Sequence, residues 1–61
     1  MREIQLVRYG TESIPARDGH TIKIADTKDG YSAIERNDKT GETTKELWLG
    51  TGAFIVYKET K

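Results

Sequence analysis

The chain has 61 residues, with 10 Lys plus Arg against 10 Asp plus Glu, one His and no Cys. That length allows a single small domain spanning 1–61 and excludes a two-domain cleft or a large enclosed active site. The lack of Cys excludes disulfide staples and thiolate metal sites, and one His excludes a multi-histidine site within one chain.

Zero net charge means no global basic excess of the kind that phosphate neutralisation favours, although a local patch is still open. No apolar run approaches the roughly 18 residues of a membrane span, and the N-terminus has no signal-peptide core. The expectation is a cytoplasmic protein with no membrane partner.

Six glycines, at 10, 19, 30, 41, 50 and 52, punctuate the chain about every ten residues, which is the strand-and-turn rhythm of a small all-β domain. Eight scattered threonines favour strands over helices. The one helical candidate, Ala33 to Lys45, is interrupted by Asn37, Asp38 and Gly41. Five strands are predicted.

The first strand, Arg2 to Tyr9, has Ile4 and Leu6 on one face and Val7 and Tyr9 on the other. Residues 10–19 read as an ordered loop limited by Pro15, with Ile14 tucked against the core. The second and third strands, His20 to Asp26 and Tyr31 to Arg36, form a hairpin around Lys28-Asp29-Gly30, where Gly30 supplies a left-handed residue. A three-residue loop pairs Ile24 with Ile34 and Lys23 with Glu35, putting Ile22, Ile24, Ser32 and Ile34 on one face. Lys23, Ala25, Ala33 and Glu35 then form the wet face.

Asn37 to Gly41 is strong turn chemistry. The fourth and fifth strands, Thr43 to Leu49 and Ala53 to Glu59, turn through Gly50-Thr51-Gly52. Such a hairpin puts Leu47, Leu49, Phe54 and Val56 on one face, and Trp48, Ala53, Ile55 and Tyr57 on the other. Both faces are apolar, so either the sheet curls until the second face is covered or that face is a docking surface. Residues 60–61 read as a free tail.

The fold expectation is therefore an all-β, five-stranded, mostly antiparallel small barrel or strongly bent sheet, SH3-like or OB-like in size. The alternative is a flat meander that dimerises face to face. The expected core is Ile4, Leu6, Val7, Ile22, Ile24, Ile34, Leu47, Leu49, Phe54, Ile55 and Val56, with Trp48. So small a domain without disulfide or metal is marginal, and a homodimer through the Trp48 face would relieve that margin.

Chemistry-bearing patterns are weak. His20 near Asp18 lacks a nucleophile that spacing would bring to it, although Ser13 and Ser32 are nominal candidates. Asp26, Asp29 and Glu42 do not complete a calcium loop. Gly50-Thr51-Gly52 precedes a strand, not the helix a phosphate loop needs. Glu35, Glu42 and Glu46 read as solvated cross-strand partners of nearby bases. No enzyme, cofactor or metal is expected.

Aromatic residues are the better signal, because Trp and Tyr anchor interfaces. The expectation is a small non-enzymatic binding module that docks on a protein partner as inhibitor, regulator or small subunit. Its candidate contacts are Tyr31, Trp48, Ile55 and Tyr57. Chains of this size are common among bacterial and phage accessory proteins. The alternative is a single-stranded nucleic-acid-binding small barrel using Lys23, Arg36, Lys45 and Lys58. The apolar run from Ala53 to Tyr57 is expected to be paired or covered, with Lys58 and Glu59 as charged gatekeepers.

Overall fold

A computed structural model of the chain describes residues 2–59, and the expected tail at 60–61 lies outside them. The described residues are all-β, with no helix. Six strands are present: β1 (Arg2–Tyr9), β2 (Glu12–Pro15), β3 (His20–Thr27), β4 (Gly30–Asn37), β5 (Thr43–Leu49) and β6 (Phe54–Glu59). They form two three-stranded antiparallel sheets, ordered β2-β1-β6 and β3-β4-β5. Neither a closed barrel of five strands nor a flat meander is formed.

The sixth strand is β2, inside the expected loop. Gly10, at φ 63°, allows a two-residue turn that pairs Tyr9 with Glu12 and Val7 with Ile14. Glycine at the first central position is what a type II′ hairpin turn requires. Ile14 is buried, as expected of it, and it is the only buried side chain of β2. A single inward side chain on a four-residue strand is a faint periodic signal, easily read as loop.

The β3-β4 hairpin forms, and Gly30 takes a positive φ, but the register differs by one residue from the expected one. Lys23 pairs with Ile34, and Ile24 with Ala33. Thr27 faces Gly30 across a two-residue loop, and its Oγ1 both accepts from the Asp29 N–H at 3.2 Å and donates to the Gly30 carbonyl at 2.8 Å. A one-residue slip exchanges the faces of one strand relative to its partner. Ala33 and Glu35 therefore join Ile22 and Ile24 on the inner face, while Ser32 and Ile34 lie on the opposite face of the sheet, where Ser32 is still buried. The Asn37–Gly41 turn closes as expected. The Gly41 N–H donates to the Asn37 carbonyl at 2.8 Å, and the Asn37 Oδ1 accepts from the Lys39 N–H at 2.9 Å.

β5 and β6 do not pair with each other. The Gly50–Ala53 segment is a tight turn, with the Ala53 N–H donating to the Gly50 carbonyl at 3.1 Å, but it carries the chain from one sheet to the other. β6 instead pairs with β1, setting Val7 against Ile55, Leu6 against Val56 and Arg8 against Phe54. The two-sided apolar pattern follows from this crossing. Ile55 shares the inner row with Val7 and Ile14, whereas Phe54 and Val56 lie on the outer face. β6 is paired along one side with β1, as expected of the run from Ala53 to Tyr57, but it ends its sheet, so its other side is an edge, which was not expected.

The core between the sheets is Val7, Ile14, Ile22 and Ala33, with Ile4, Ile24, Leu47, Leu49 and Ile55 packed partly buried around it. Phe54, Val56 and Trp48 leave the expected core and are exposed. Ile34 and Leu6 sit on outer faces. Gly50 makes the close approach at the sheet crossing possible, since a Cβ there would lie 2.5 Å from the Tyr9 hydroxyl.

Candidate functional site: an apolar groove beside β6

Because β5 and β6 separate, the two inner faces do not meet along that side. The row Asp26-Tyr31-Leu49 ends the inner face of one sheet, and Ile55 and Tyr57 lie on the inner side of β6. Between them is an open groove of about 490 Å³, walled by Ile24, Tyr31, Leu49, Ile55 and Tyr57 and floored by the Gly50–Ala53 turn. Tyr31 is 54% and Tyr57 48% exposed. Apolar walls with two phenol rims have the composition of recognition grooves.

The structure thus brings together three of the four residues picked from the sequence for protein binding: Tyr31, Ile55 and Tyr57. Trp48 is not among them. It pairs with Ser32 in the row Ala25-Ser32-Trp48, on the outer face of the other sheet, and is 50% exposed. Its expected place beside Ile55 and Tyr57 depended on the β5-β6 hairpin, which does not form. Ile24 and Leu49 were assigned to the core by pattern alone, and only the crossing of the sheets shows that they wall the groove.

A second cleft, of about 950 Å³, opens between β1 and β3 and includes Lys23, Lys58, Arg2 and Tyr57. The Arg2 guanidinium lies 5.1 Å from the Tyr57 ring centroid, within cation–π range. Of the four bases nominated for nucleic acid, this cleft gathers Lys23 and Lys58. Arg36 lies on the outer face of its sheet, and Lys45 pairs with Glu35 on the other face. The cleft also carries Glu3, Asp18 and Asp38, which dilute its positive field.

The most polar buried feature is Glu35, and it overturns the expectation of a solvated carboxylate. Its side chain is fully buried. Arg17 Nη2 donates to Oε1 at 2.9 Å and Nε to Oε2 at 3.3 Å, while Thr44 Oγ1 donates to Oε1 at 2.7 Å. Arg17 is brought there by the β2-β3 link. The Ala16 N–H donates to the Gln5 carbonyl at 2.8 Å, and the Asp38 N–H to the Gly19 carbonyl at 2.9 Å, so the link is tied at both ends. Thr44 is aimed inward by a register shift, since Lys45 faces Glu35 and Thr43 faces Arg36, leaving Thr44 as the extra residue.

The Arg17 hydrogen bonds hold the Glu35 carboxyl below its ordinary pKa, against burial, which pushes it up; Thr44 and the charges of Arg17 and His20 lower it further. The cluster fastens the β2-β3 link, through Arg17, and β5, through Thr44, to β4. His20 Nδ1 lies 3.0 Å from the Asp18 backbone carbonyl, not from its carboxylate, so the general-base arrangement is absent. Among the described residues no group of three or more His, Asp or Glu side chains is placed to hold a metal, and no helix is long and apolar enough to cross a membrane.

Compared with protein-family models, curated proteins and solved structures, the chain matches none.

Proposed function

We propose that this chain is a small non-enzymatic binding module whose groove beside β6 receives an apolar segment of a protein partner, so that it acts as an inhibitor, regulator or small subunit. The observation that supports this reading is the groove itself. It is open, and its walls include two half-exposed tyrosines from different sheets. Aromatic rings of this kind contribute large contact area at low conformational cost and are the usual anchors of interfaces.

The test is capture of a partner from a lysate by the tagged protein, with nuclease present. The wild-type chain should retain one protein near equal stoichiometry. Tyr31→Ala, which removes a side chain that is already half exposed, should lose that capture while its melting temperature stays close to the wild type. Trp48→Ala should keep it. Capture lost on nuclease treatment would favour the single-stranded nucleic-acid reading, with Lys23 and Lys58 as its contacts. Capture insensitive to Tyr31→Ala would overturn the groove reading.

A further inference from the structure

Among the described residues, four strands form sheet edges: β2, β3, β5 and β6. Proteins blunt such edges with short strands, proline, central charges or bulges. β2 has four residues and ends on Pro15; β3 carries Lys23; β5 carries the irregularity at Thr44 followed by Lys45 and Glu46. β6 itself has none of these devices over Phe54-Ile55-Val56-Tyr57, the irregularity of its ladder lying on β1 at Gln5, and its charges come only at its end.

We propose that the edge of β6 pairs with β6 of a second copy of this chain, forming an isologous dimer about a two-fold axis through Val56. The sequence of β6 is self-complementary in this sense. A two-fold axis normal to the sheet keeps each face on its own side, so only registers that pair residues of like parity are available. Centred on Val56, the register sets Val56 against its own copy, Ile55 against Tyr57 and Phe54 against Lys58. Apolar side chains meet on the inner face, and Lys58 approaches the ring that Arg8 already covers at 5.9 Å on the outer face. No two residues of like charge are paired directly; Arg8 and Lys58 flank the Phe54 ring from its two sides. Centred on Tyr57 instead, the register sets Ile55 against Glu59 on the inner face.

Zero net charge removes long-range repulsion between copies. In the dimer, Tyr57 of the partner subunit stands beside Ile55, so each groove gains a wall from the other copy. This proposal rests on the β6 edge and holds whether or not the groove takes a further partner.

Sedimentation equilibrium of the purified chain, from micromolar to millimolar concentration, provides the test. The wild type should dimerise. Val56→Lys and Val56→Glu each set like charges on the axis at an outward, 39% exposed position, and each should weaken the dimer on the order of 100-fold. An equimolar mixture of the two variants should restore a one-to-one dimer. Independently of any variant, amide hydrogen exchange across Phe54 to Lys58 should slow as wild-type concentration rises. A wild type that stays monomeric, with β6 exchange independent of concentration, overturns the proposal. So does a dimer that survives both substitutions.

Discussion

With Arg17 at 2.9 and 3.3 Å and Thr44 at 2.7 Å, the Glu35 carboxylate is fastened by three donors at zero exposure. Removing one member of such a pair strands the other, which costs roughly 3–5 kcal/mol when both are buried. Arg17 is half exposed, so Arg17→Ala should cost less, about 2 kcal/mol at neutral pH, measured by urea unfolding. The pH dependence has a definite sign. The folded-state pKa of Glu35 lies below the ordinary 4.5, so below about that value the unfolded chain binds more protons than the folded one. The stability contributed by the cluster is complete above that region and is lost as pH falls through the lowered folded value. Glu35→Gln should flatten this acid limb of the urea midpoint. An unchanged limb would mean that another carboxylate carries it.

The β1-β2 hairpin has the least redundancy of the elements. Its second strand contributes one buried side chain, Ile14, to the core. Its turn depends on Gly10 at φ 63°. Ile14→Ala should cost about 2–4 kcal/mol in chemical denaturation, because the deleted methyl groups leave a gap between both sheets. Gly10→Ala should cost about 1 kcal/mol by forcing a Cβ into the left-handed region. Ser13→Ala, beside Ile14 but exposed, should be nearly silent. Equal losses at positions 13 and 14 would contradict the hairpin. The β3-β4 hairpin shows the limit of pattern reading at this scale. Placing Ile34 inward gives the better apolar face on paper. The observed register turns Ile34 outward and Glu35 inward, and it holds because a residue distant in sequence, Arg17, neutralises the buried charge.

For the whole molecule, zero net charge and the mixed-sign second cleft bear on how it associates. Binding dominated by the groove should change little between low and moderate salt, by less than about threefold in Kd. Phosphate-driven binding would fall by orders of magnitude over the same range. Titrating the captured partner at two ionic strengths separates the two.

The sequence by itself determined the all-β class, the strand segments other than β2, the Asn37–Gly41 turn and the burial of Ile14. Each follows from local preference, from glycine and turn chemistry, or from short-range alternation. It also marked Tyr31, Ile55 and Tyr57, though Ile55 and Tyr57 were marked for a face they share with Trp48 only in a hairpin that does not form. Tertiary structure decided which strands pair, the β3-β4 register, the burial of Glu35 and the opening of the groove. The physical reason is that β6 satisfies its ladder with β1, at the other end of the chain. Non-local pairing of that kind leaves no periodic mark on either segment, and Gly50-Thr51-Gly52 serves a sheet crossing as well as it would serve a hairpin.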